Sequence, residues 1–337
     1  MQDNKVLDVL LVLALAGSGK SEARKSMRSL GPEKCKDQFH IWPTVQIDDY
    51  PYVEFMRFVD ELVSGGLEAL DMGGLFFRSH RESFKDQREW GTLVQLVNMD
   101  YDDILHNRNV EPESPGLWLL KRIALAQEFA DIYNSPLRRL PEDVLKLIAS
   151  HLEDKTQKVL DMKREALTGT LEGKTLVIEF ARGGPHGASM PLRGSQGYQF
   201  SLPHLSPAIL SCASILYIKV PPSESRRKNF ERAVPPPDAK DKDDTGIWHG
   251  VPLSVMLSEY GSCDMEYLRS LSDRSDTVRV RAHGKEYYLP IGIFDNTTDL
   301  TSFARGDPDD WDPKDIQALH AGLKPAMDTL WVAQANR

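Results

Sequence analysis

Residues 13–22, LALAGSGKSE, put a lysine and a hydroxyl directly behind two closely spaced glycines. Gly17, Gly19, Lys20 and Ser21 supply the second half of the pattern G-x-x-x-x-G-K-[ST], and Ala14 stands where its first glycine would be. The chemistry this arrangement suits is the holding of phosphate. The backbone N–H groups of Ala16, Gly17, Ser18, Gly19, Lys20 and Ser21 would cradle the anion at a helix N-terminus. Lys20 would reach the outer phosphates, and the Ser21 hydroxyl would hold a magnesium ion. The sequence therefore predicts a site for a nucleoside triphosphate and Mg2+.

Such a loop needs a strand before it and a helix after it. Val6–Leu15 is almost continuously apolar, as a strand buried on both faces would be, and SEARKSMRSL behind Lys20 is rich in helix formers. Four further apolar runs have the length of strands: Thr44–Ile47, Thr175–Phe180, Ser214–Val220 and Tyr288–Phe294. Each ends in a polar or turn-forming cluster, and helical patterns lie between them. The expectation is an α/β protein with a doubly wound, parallel five-stranded sheet and helices on both faces. In such sheets the ligand lies at the carboxyl ends of the strands, which draws attention to Asp48 and Asp49 after the second run. They could orient an acceptor hydroxyl or a magnesium-bound water, and Asp49 would also serve as a helix N-cap.

Composition sets outer bounds. The chain has 337 residues, a net charge of −9 and 41% apolar residues. That acidity argues against a general nucleic-acid or membrane-surface binder. Cys35, Cys212 and Cys263 are scattered without metal-like spacing. The first apolar run lacks a basic leader and leads straight into the glycine loop, so it reads as a core strand in a soluble, cytoplasmic protein. Residues 53–171 carry apolar residues at helical spacing and read as a helical insertion in a core made of 1–52 and 172–337. Residues 221–250, with five prolines and mixed charge, read as an exposed excursion.

Taken in order, AGSGKS, QIDDYP, VIEFARGG and SILYIKVPPSESRRKNFERA make the chain resemble the P-loop kinases of the nucleoside and nucleotide kinase type. These belong to the P-loop-containing nucleoside triphosphate hydrolase superfamily. The resemblance covers roughly 5–52 and 174–300. It implies an ATP-dependent phosphotransferase that moves the γ-phosphate to a small acceptor such as a nucleoside, a nucleotide or another phosphorylated metabolite. It also implies that residues 221–250 are a lid, with Arg226 and Arg227 folding over the transferring phosphate. Glu179 takes the place of the carboxylate that holds magnesium through water, and Arg182 the place of a substrate-binding arginine. The insertion would bind the acceptor, with Arg78 and Arg81 of FFRSHRESFKDQREW as an anion clamp. Asn296, in FDNTTD, would sit at the adenine and ribose edge, and His249 could serve the lid. A charged helix face around Arg78–Arg88 is the structural alternative.

Two other functions compete. A nucleotide-dependent regulatory ATPase would hydrolyse ATP alone, and a polynucleotide-end kinase would need a basic groove. FDNTTD is not the N/T-K-x-D motif a GTPase requires.

Overall fold

The computed structural model describes residues 6–65, 67, 73–167, 171–234 and 250–336. The chain begins with β1 (Val9–Ala14), α1 (Lys20–Ser29), α2 (Pro32–Phe39), β2 (Thr44–Asp48) and α3 (Tyr50–Val63). Three long helices follow, α4 (Glu89–Leu105), α5 (Pro115–Phe129) and α6 (Glu142–Ala166), before β3 (Thr175–Ala181). Short helices α7 (Gly197–Ser201) and α8 (Pro207–Cys212) lead into β4 (Ala213–Lys219). Then come α9 (Pro222–Arg232), α10 (Leu253–Ser258), α11 (Met265–Ser270), β5 (Thr277–Ala282), β6 (Lys285–Asp295) and α12 (Pro313–Ala335).

The protein is α/β, with a mostly parallel sheet of order β2-β3-β1-β4-β6-β5. All six residues of β1 are buried, as its unbroken apolar run requires for a strand flanked by β3 and β4. All five expected runs are strands, but the sheet has a sixth. β5 pairs antiparallel with β6 across a two-residue turn whose residues, His283 and Gly284, both have positive φ (52° and 72°). That turn geometry matches the right-handed twist of a hairpin. The alternation of Thr277–Ala282 (TVRVRA) buries Val278 and Val280 and leaves the arginines outward, as an edge strand allows.

Three cores hold these layers. α1, α2 and α12 cover one face of the sheet through Met27, Phe39, Leu323 and Met327. On the other face Val94, Val97 and Tyr101 of α4 pack with Tyr198, Ile209 and Met265. The third core lies among α3, α4, α5 and α6, and reaches Leu15, Met256 and Tyr260. The segment between β2 and β3 thus leans on the sheet through α4 and forms a wall opposite the strand ends. Within the expected excursion, residues 222–232 are helix α9, with Ser225, Lys228 and Asn229 buried; residues 235–249, His249 among them, lie outside the described residues.

Candidate functional site

Leu15–Gly19 turn the chain from β1 into α1. Gly17 (φ 73°) and Gly19 (φ 92°) adopt left-handed conformations that a side chain would strain. They also lie where no side chain fits. A Cβ on Gly17 would stand 2.7 Å from the Ser225 carbonyl oxygen, and one on Gly19 would stand 2.2 Å from Thr301 Oγ1. The loop is therefore held on two sides. From α9, the Ser225 hydroxyl donates to the Ala16 carbonyl at 2.6 Å. From behind β6, Asn296 Nδ2 donates to the Ser18 carbonyl and to Thr301 Oγ1, each at 2.9 Å, while its Oδ1 accepts from Leu300 N at 2.7 Å. Lys228 Nζ completes this support by donating to Thr301 Oγ1 and Asp299 Oδ1.

Carbonyls of the loop are thus engaged, whereas its amides are not. Among the described residues the N–H groups of residues 16–19 donate to no backbone or side-chain acceptor. Ala16, Gly17 and Ser18 are nonetheless buried. Gly19 stands at the N-cap of α1 and offers no side chain to its first-turn amides. A curl of unpaired donors at a helix N-terminus attracts an anion.

The loop opens into a cleft of about 1210 Å³ lined by Gly17, Lys20 and Ser21, by the β2 and β3 ends, and by the helical wall. Asp48 and Glu179 sit opposite each other in the β2–β3 register. Burial raises the Asp48 carboxyl to about 7, helped by the charges of Glu179 and Asp49. Burial lowers the Lys20 ammonium, against the pull of Glu179 and Asp48. Glu179, 1% exposed, is ion-paired with Arg24 of α1. Arg24 lies four residues after Lys20 and so on the same face of α1.

Asp49 sits at the N-cap position of α3, yet its side chain makes no cap bond. Asp48 Oδ1 takes that place and accepts from Tyr50 N at 2.9 Å. Asp49 Oδ2 instead faces Arg182 Nη1 at 2.7 Å. Arg182, 3% exposed, lies between the Trp90 and Phe180 rings. It donates to Ser201 Oγ, to the Ala181 carbonyl and, at 3.4 Å, to the Trp90 carbonyl. Its guanidinium, which lines the cleft beside Asp49, is held in place by these protein groups.

Other expected residues fall elsewhere than their sequence position suggests. Asn296 is fully buried with its amide spent on the loop, so it braces the glycine loop from behind instead of facing a base. Arg227 is exposed and bound to Glu224, Glu231 and Asp299, and neither it nor Arg226 lines the cleft. The α9 residue that does is Arg232, whose guanidinium burial holds below its usual range. Arg78 and Arg81 are exposed and outside the cleft lining. Their segment is no helix: Phe77 and Phe84 pair in an antiparallel bridge, which turns the intervening charges to the surface.

The wall contributes residues that sequence reasoning did not single out. Arg57, Trp90 and Tyr260 line the middle of the cleft. At its far end Tyr52 OH donates to Asp100, Lys163 Nζ donates to both of them, and Arg122 Nη2 joins Asp100 to Asp103. Only the Lys20-to-Arg24 spacing offered a local signal; the others come together through the packing of α3 to α6.

Among the described residues no group of three or more His, Cys, Asp or Glu side chains could hold a metal ion by itself. No helix among them is long and apolar enough to cross a membrane. Comparison with protein-family models, with curated proteins and with solved structures finds no significant match to the chain.

Proposed function

We propose that the chain is a P-loop phosphotransferase that moves the γ-phosphate of ATP to a small-molecule acceptor. The observation that carries this reading is the loop of unpaired, buried amides at the N-terminus of α1, with Lys20 in the cleft beside Asp48 and Glu179. Oriented amides and a desolvated lysine are what spreading charge on a transferring phosphoryl group demands.

Magnesium fits the donor set in a limited way. Ser21 and Glu179, the latter through water, would hold it with phosphate oxygens completing the shell, because Mg2+ takes few protein ligands in such sites. Bound there, the ion would neutralise charge between the outer phosphates. Arg24 would have to release Glu179 for this. Asp49, fixed by Arg182, would align the acceptor hydroxyl or accept its proton. Arg232 would take the role first expected of Arg226 and Arg227.

The volume supports two ligands rather than one. Pockets for a single drug-sized molecule occupy about 300–1000 Å³, and this cleft exceeds that. A lone ATPase has no use for the aromatic and charged wall opposite the loop. The test is ATP turnover with and without candidate acceptors: nucleosides, nucleotides, sugar phosphates and oligonucleotide ends. Phosphate transfer to an added acceptor, with little hydrolysis in its absence, is the expected outcome. Acceptor-independent hydrolysis at the same rate would refute it in favour of a switch.

A further inference from the structure

Among the described residues Arg57, in the cleft wall, hydrogen-bonds only to neutral groups. Arg57 lies on α3 and lines the cleft with Tyr50, Phe77, His80 and Tyr260. Its Nη1 donates to the His80 carbonyl at 3.0 Å and its Nη2 to the Glu82 carbonyl at 3.2 Å. The guanidinium also stacks on Phe77, 4.1 Å from the ring centre. Arg24 and Arg182, by contrast, are ion-paired to Glu179 and Asp49. Among the described residues no carboxylate lies within ion-pair distance of Arg57.

This arrangement is prepared in advance. One helical turn on, the Asp60 carboxylate accepts from the N–H groups of Leu75, Phe76 and Phe77 at 2.6 to 3.1 Å. It thereby fixes the segment whose carbonyls grip Arg57. A guanidinium carries five N–H donors; two are held by those carbonyls and three remain. Burial holds its pKa below the usual range, outweighing the pull of Tyr260, Tyr50, Asp60 and Glu61. Such a rigid, half-buried guanidinium suits a planar or tetrahedral oxyanion, which accepts two of its donors at once.

We propose that Arg57 recognises the acceptor, and that the acceptor carries an anionic group of the phosphate or carboxylate class. This rests on the phosphotransfer reading above. Arg57 stands eight residues along α3 from Asp49, a rise of roughly 12 Å. The anion clamp that the sequence assigned to Arg78 and Arg81 passes to Arg57, whose carbonyl partners belong to the same segment.

The test uses the intact protein saturated with Mg2+ and a non-hydrolysable ATP analogue, so that the glycine loop is filled. Inorganic phosphate and, separately, acetate are titrated by calorimetry into wild type, Arg57→Gln, Arg57→Lys and Arg81→Gln. Saturable binding of one of these anions is expected in wild type and in Arg81→Gln. It should weaken at least tenfold in Arg57→Gln and less in Arg57→Lys, with analogue affinity unchanged. Which anion binds more tightly identifies the acceptor's group as phosphate or carboxylate. Arg57→Lys, which keeps the charge but not the fork, preserves the test should Arg57→Gln fold poorly. Unaltered anion binding in the Arg57 variants, or none in wild type that binds the analogue, overturns the proposal. Failure of wild type to bind the analogue overturns the phosphotransfer reading itself and this proposal with it.

Discussion

Replacing Asn296 by alanine separates a brace from a ligand contact. The side chain makes three hydrogen bonds: to the Ser18 carbonyl, to Thr301 Oγ1 and from Leu300 N. Truncation leaves the Ser18 carbonyl and the Leu300 amide without those partners at a residue that is 0% exposed. Thr301 keeps its bond from Lys228, so its loss counts for little. Each orphaned buried group costs about 1–3 kcal/mol, so the variant should lose about 2–6 kcal/mol of stability. With a urea slope of about 3 kcal/mol per molar, the unfolding midpoint should fall by about 0.7–2 M. Nucleotide affinity should fall too, because the loop loses its support from behind. Urea unfolding followed by circular dichroism, together with ATP-analogue titration, reads both quantities. An unchanged midpoint with weakened nucleotide binding would mean that Asn296 touches the ligand directly, and the bracing argument would be refuted.

Lys20→Ala should lower phosphoryl transfer by about 100- to 1000-fold while leaving circular dichroism unchanged, since one lost donor to developing charge costs about 3 kcal/mol; near-normal turnover would contradict the assignment. Asp49→Asn should cut turnover and also cost about 3–5 kcal/mol of stability, because it leaves the buried Arg182 guanidinium without its counter-charge; wild-type rates in the folded variant would reduce Asp49 to a structural residue. Asp48 has a folded pKa raised from 3.8 to about 7, so the folded state binds its proton more tightly and this contribution is lost as pH rises toward 7. Asp48→Asn in the nucleotide-free protein should therefore gain more over wild type in melting temperature at pH 8 than at pH 5, and equal differences would disprove the shift. Gly17→Ala should destabilise by about 2–5 kcal/mol, combining left-handed strain of about 1–2 with overpacking of about 1–3 kcal/mol. Its Cβ meets the Ser225 carbonyl, so trypsin should also cut sooner at Arg226 and Arg227; unaltered stability and cleavage would show that α9 does not rest on the loop.

Much of the frame was legible because it rests on local chemistry. Unbroken apolar runs such as VLLVLA must bury both faces, so β1, β3 and β4 fall inside the sheet. Gly17 and Gly19 before a helix-forming stretch foretold the left-handed turn. The acidic pair at the end of β2 and Glu179 in β3 meet because parallel register aligns strand ends. β5 escaped notice because an edge strand alternates Val and Arg and has no apolar run; the His283–Gly284 turn was its visible sign. The roles of single side chains were another matter. Asp48 rather than Asp49 caps α3, Asn296 turns inward to Ser18, and Arg57 rather than Arg78 or Arg81 reaches the cleft. Each outcome depends on which neighbour stands within hydrogen-bond reach, and those neighbours are up to 278 residues away along the chain. Sequence spacing governs which face of an element a residue occupies, whereas the direction and partner of a charged side chain follow from the packing of α3 to α6 and α9 around the strand ends.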